Sequence, residues 1–100
     1  MEIELNPLLV RISLDPNLYP SHSFLLIALF SVYQKQKYIL PLQISRKKLM
    51  ALSKIYSIAT YHKCIKELVS LGYILYEPSY HPLKGSKVYL TEQLIGSIAD

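Results

Sequence analysis

Three groups of residues in this 100-residue chain have the types and spacing to engage a polyanion. The first lies in SIATYHKCIKELVSL, residues 57–71. Ser57, Ala59, Thr60, His62, Lys63 and Lys66 fall off the apolar positions of that stretch. Between Ala59 and Lys66 it carries two lysines and a histidine with no acid among them. Ammonium groups there can reach phosphate oxygens or the acceptor edge of guanine, while Ala59 and Thr60 can approach base edges. The second group is Arg46, Lys47 and Lys48 in succession behind Ser45. The third is Lys84, Gly85, Ser86 and Lys87, with Tyr80 a few residues ahead, in a stretch rich in proline and glycine.

Catalytic constellations are missing. The chain has no glycine-rich phosphate loop, no cysteine pair for zinc and no carboxylate cluster for magnesium. His22, His62 and His81 lack metal-ligand spacing. Tyr61 or Tyr80 beside His62 could suggest a tyrosine nucleophile, but such chemistry needs several arginines or a metal at the phosphate, and Arg11 and Arg46 are the only arginines. The expectation is a protein that is not an enzyme, with no catalytic residues, metal ligands or cofactor. Cys64 is the single cysteine, so no internal disulfide forms, in keeping with a cytoplasmic chain. Its position on an apolar helix face marks a small buried hydrophobe instead of a redox thiol.

The net charge of +4 conceals an asymmetry. Residues 1–32 hold three acids against Arg11, whereas residues 33–90 hold ten Lys/Arg against Glu67 and Glu77, a net +8. Concentrated positive charge fits a phosphate backbone, although a solvated lysine surface has the same composition. An apolar share of 51% excludes disorder and suggests apolar surface beyond one small core. No apolar run with a small-residue cleavage site follows the start, and no secretory leader is expected.

These residues need elements to hold them. In 57–71, Tyr61, Cys64, Ile65, Leu68 and Leu71 recur at intervals of three and four, predicting a helix capped by Ser57 and closed by Gly72. Residues 73–76 and 87–90 read as strands around a turn-rich stretch at 78–86. Ser45 caps a predicted helix over 46–54 with Leu49, Leu52, Met50 and Ile55 toward the core. Cations crowd its first turn, where they oppose the helix dipole. Residues 21–37, capped by Ser21 or Ser23, read as a helix that is apolar nearly all round yet too short to span a bilayer. That surplus needs cover from the N-terminal arm, the last helix or a second subunit. Residues 38–44 lead into a short extended piece beside the hairpin, and 91–98 form a last helix. Pro7, Pro16 and Pro20 cut the first twenty residues into an extended arm with at most one strand or helical turn. Among nine tyrosines, Tyr73, Tyr76 and Tyr89 are expected in cross-strand packing, and Tyr56 to close a turn against the core.

Thr60, Lys63, Ile65, Leu68 and Leu71-Gly72-Tyr73-Ile74 resemble the pattern of many bacterial winged-helix transcription regulators. Residues 76–90, YEPSYHPLKGSKVYL, are similar to the wing of small winged-helix proteins from bacterial mobile elements. The resemblance covers residues 21–90. It implies an α+β winged helix-turn-helix, with a three-helix core, a small antiparallel β wing and a short C-terminal helix. Residues 1–20 would be the N-terminal arm and 21–100 the DNA-binding domain. Helix 57–71 would enter the major groove of double-stranded DNA, while Arg46, Lys47, Lys48, Lys84 and Lys87 hold the backbone. A homodimeric transcription regulator without a membrane anchor or small-molecule ligand is the expected role. Two alternatives stand beside it: an accessory factor in replication or transfer of a mobile element, and a protein-interaction winged helix whose lysines only solubilise.

Overall fold

A computed structural model describes residues 6–79 and 85–99. The chain is α+β. Its elements run α1 (Asn6–Leu14), α2 (Pro20–Lys35), β1 (Leu42–Ile44), α3 (Arg46–Ser53), α4 (Ile58–Ser70), β2 (Ile74–Glu77), β3 (Ser86–Leu90) and α5 (Glu92–Ala99).

The first of these departs from the extended arm read at residues 1–20. Pro7 sits in the first turn of α1, where a helix tolerates a missing N–H, and Leu8 and Ile12, one turn apart, are both buried. The spacing is helical, and Pro16 lies beyond its end. α1 packs on α5, and Leu8, Ile12 and Leu94 extend a single core that also takes Leu25, Leu29, Ile65 and Leu68. Cover for the apolar α2 therefore comes partly from within the chain, although Phe24 stays half exposed.

α2 begins at Pro20, two residues earlier than a cap at Ser21 would place it. Pro20 occupies the first turn, and the Tyr19 N–H donates to His22 Nδ1 at 2.9 Å, the half of a capping box in which the third helical residue reaches back to the cap. The helix ends at Lys35, two residues short of the predicted end. Lys37 and Tyr38 then take left-handed φ of 62° each, and the Tyr38 N–H donates to the Tyr33 carbonyl. The side-chain amide of Gln36 donates to the Gln43 carbonyl and accepts from the Gln43 N–H, at 2.8 and 3.1 Å. It pairs the outer edge of β1 as a neighbouring strand would. Leu40–Pro41 is a cis peptide.

The sheet is antiparallel in the order β1-β3-β2, with Leu42 opposite Val88 and Ile74 opposite Leu90. Leu42, Ile44, Ile74, Val88 and Leu90 turn inward. Gly85 enters β3 with φ +65°, and a Cβ there would lie 2.5 Å from the Ile44 carbonyl oxygen.

Ser45 caps α3, and its hydroxyl accepts from the Lys48 N–H at 3.4 Å. Leu49 and Ser53 form the buried stripe, the Ser53 hydroxyl donating to the Leu49 carbonyl at 2.7 Å. Leu52 is exposed, against the expectation: it lies about sixty degrees from Leu49 and about a hundred from Ser53, off the edge of that stripe in a helix of two turns. Lys54 reverses the chain in the left-handed conformation, which returns Ile55 to the core. Tyr56 follows at 82% exposure and does not close the turn.

α4 matches its reading closely. Ser57 caps it, accepting from the Thr60 N–H at 3.2 Å, and Tyr61, Cys64, Ile65 and Leu68 are buried. At its end the Gly72 N–H donates to the Val69 carbonyl and the Tyr73 N–H to the Leu68 carbonyl, with Gly72 at φ +85°: the Schellman arrangement. Thr91 then donates its hydroxyl to the Gly72 and Tyr73 carbonyls, stitching the start of α5 to that turn.

Candidate nucleic-acid interface

Four segments converge on one face. The capped start of α3 brings Ser45, Arg46 and Lys47; the second turn of α4 brings His62; Tyr76, Pro78 and Ser79 come from β2 and its continuation, Gly85 and Ser86 from the start of β3. Together with Ile44 they line an open cleft of about 570 Å³. No acid lines it. Ser86 is not idle there, since its hydroxyl lies 3.0 Å from the Tyr76 hydroxyl.

Beside the cleft, the outer stripe of α4 carries Ala59, His62, Lys63 and Lys66, all exposed, with Thr60 on its flank. Glu67 is the only acid on α4, and it points away from this stripe to His22 on α2, 3.1 Å from Nε2. The face is thereby left cationic over its first turns. A cap that keeps Ser57 at the leading end also orients these side chains, because it fixes the phase of the first turn.

The expected residues are thus partly gathered. Arg46 and Lys47 meet His62 in the cleft. Lys48, although next in sequence, turns to a separate hollow lined by Lys35, Gln36, Gln43 and Leu52, as the helical rotation between neighbours requires. Lys87 is exposed, but its register partner on β2 is Glu77, which offsets part of its charge. Tyr80 and Lys84 lie outside the described residues.

Sequence reasoning missed three features. Tyr76 and the backbone at Gly85 line the cleft because β2 and β3 pair over it, and the hydropathy of the strands alone does not show which face they present. Tyr56 and Ile58, the latter 50% exposed, stand at the leading end of α4. Beneath the cleft, the Tyr61 hydroxyl is buried without a hydrogen-bond partner. Burial, then the neighbouring Tyr76, push its pKa up to about 12, opposed by the Arg46 guanidinium.

One other cluster of ligating groups occurs among the described residues: His22, Cys64 and Glu67, with ligand atoms within 4.8 Å of one another. A metal-bound histidine normally donates its second ring N–H to an acceptor. Here Nδ1 accepts from the Tyr19 N–H, which puts the proton of the neutral ring on Nε2, aimed at Glu67. Cys64 Sγ in turn lies 3.3 Å from the Ser21 hydroxyl. The cluster fits a hydrogen-bonded clasp between α2 and α4 better than a metal centre. Its members lie 42 and more positions apart between helices, beyond any local spacing rule.

No helix among the described residues is long and apolar enough to cross a membrane. Comparison of the chain with protein-family models, curated proteins and solved structures returns no match.

Proposed function

We propose that this chain is a winged helix-turn-helix that binds duplex DNA and serves, without catalysis, as a homodimeric transcription regulator. The observation that carries the reading is the acid-free cleft between the start of α3, the second turn of α4 and the β2–β3 hairpin, continued by the cationic stripe of α4. Helix, left-handed turn, capped helix, Schellman turn and hairpin occur in the order a winged helix-turn-helix requires. α4 would lie in the major groove with its first turns at base edges, while Arg46 and Lys47 hold a phosphate strand passing through the cleft. Exposed Leu9, Val10 and Leu14 on α1 supply apolar surface for a second copy.

The test is titration of a selected duplex and a scrambled one over a series of salt concentrations. Binding should weaken steeply with salt, and replacing Arg46 and Lys47 by alanine should reduce the slope by roughly two while weakening both duplexes alike. Lys63→Ala should instead relax preference at one base pair by about 1 to 3 kcal/mol if the ammonium contacts a base. Salt-independent or absent binding would refute the reading in favour of a protein-interaction domain.

A further inference from the structure

Resting on the DNA-binding reading, we infer that α4 recognises A·T pairs from the thymine side, with the exposed Ile58 side chain seated on a thymine 5-methyl group. Adenine is read in the major groove by the paired donor and acceptor of Asn or Gln, and guanine by Arg or Lys. α4 has no Asn, Gln or Arg: its sequence is IATYHKCIKELVS. Lys63 and His62 can serve guanine or phosphate, and Thr60 is adaptable. What the leading end chiefly presents is apolar. Ile58 is the first residue of the helix and 50% exposed, Ala59 beside it is exposed, and Tyr56 just before the cap is 82% exposed.

That apolar tip is out of place on an ordinary solvent face, because it shares the exposed part of α4 with His62 and Lys63, and neither α3 nor the first turns of α4 carry an acid. Charge complementarity commits the occupant to a polyanion, and an apolar tip within a cationic frame needs one that offers apolar groups between its phosphates. The 5-methyl of thymine is the apolar group on a major-groove edge of unmodified DNA. The first turn of a recognition helix is the part that reaches base edges. Ile58 is also off the centre of the buried stripe of Tyr61, Cys64, Ile65 and Leu68, so packing leaves it free to make such a contact.

The experiment first selects a preferred duplex from a random pool, then replaces its thymines singly by deoxyuridine, which removes only the methyl. Wild-type protein should lose about fourfold in affinity at one or two positions, the fold-change expected for burying one methyl-sized apolar group. Ile58→Ala, which keeps the cap and the core stripe, should bind the thymine and uracil duplexes equally at those positions. Insensitivity of the wild type to uracil throughout a site that it binds selectively would overturn this inference and leave DNA binding standing. Equal sensitivity in Ile58→Ala would overturn the role of Ile58. Failure to bind any duplex would overturn both readings together. Unchanged thermal unfolding of Ile58→Ala shows that the variant reports contact and not folding.

Discussion

At Tyr61 a single hydroxyl is left buried beneath the cleft with no partner, and its effect is measurable. Tyr61→Phe removes the unpaired group and keeps the ring, so stability should rise by about 1 kcal/mol, whereas an ordinary buried tyrosine loses a hydrogen bond by the same change. Its pKa, pushed up to about 12 from 10.0, adds an alkaline signature. The neutral form is favoured on folding, so this contribution is complete below pH 10 and is lost as pH rises through the folded value. Denaturation curves of wild type should fall across that window, and Tyr61→Phe should flatten the fall; an equal fall in both would assign it elsewhere, to Tyr73 first. At the acid end Asp15 behaves oppositely. Its pKa is lowered by the Tyr73 hydroxyl and then by the Asn17 N–H, so its stabilisation is present above the ordinary value of 3.8 and lost as pH falls further. Asp15→Asn should remove that acid-side loss. Single residues are legible where chemistry is local, as with the caps Ser45 and Ser57. They are not legible where it depends on distant partners: Ser57 as a cap follows from its neighbours, but nothing near His22 announces Glu67, 45 positions away.

Element by element, legibility follows the strength of local punctuation. Ser57 and Gly72 bracket α4 with side-chain and backbone hydrogen bonds made within a few residues, and the helix falls where its spacing puts it. Prolines hide α1 in the sequence, because Pro7 opens the helix and Pro16 follows it instead of breaking it. Leu52 was misplaced because α3 is too short for periodicity to fix its phase. The two glycines with positive φ separate conformational strain from steric clash. A Cβ at Gly72 would meet the Gln93 Oε1, a movable side-chain end, whereas at Gly85 it would meet the Ile44 backbone oxygen, which β1–β3 pairing holds in place. Gly72→Ala should therefore cost about 1 to 2 kcal/mol, the strain of a left-handed non-glycine residue. Gly85→Ala should cost more, because the clash adds to that strain, and should loosen the hairpin beside the cleft. Chemical denaturation of the two variants decides it: equal losses would show that the hairpin gives way at no cost.

For the whole molecule, the question left by composition is where so much apolar surface goes. α1 and α5 close one side of the core, yet Leu9, Val10 and Leu14 on α1 remain exposed, Leu14 at 75%, with Val10 and Leu14 flanking Arg11, Asp15 and Tyr73. In the sequence Pro7 and Pro16 mask the helical spacing of Leu8 and Ile12, so the apolar surplus reads as that of α2 and not of the outer face of α1. Burial of what these side chains still expose against a second copy would bring roughly 1 to 2 kcal/mol each, which from both copies offsets part of the entropy of association. A two-fold dimer would also give two α4 helices one fixed spacing, to match half-sites a helical turn or more apart. Size-exclusion chromatography with light scattering at micromolar concentration should therefore report twice the 11.5 kDa of one chain. Val10→Asp with Leu14→Asp should return it to a monomer that still unfolds cooperatively, since both positions face solvent within the protomer. A wild-type monomer at every concentration would refute the dimer. A double variant that stays dimeric would move the contact away from α1, to Phe24 on α2.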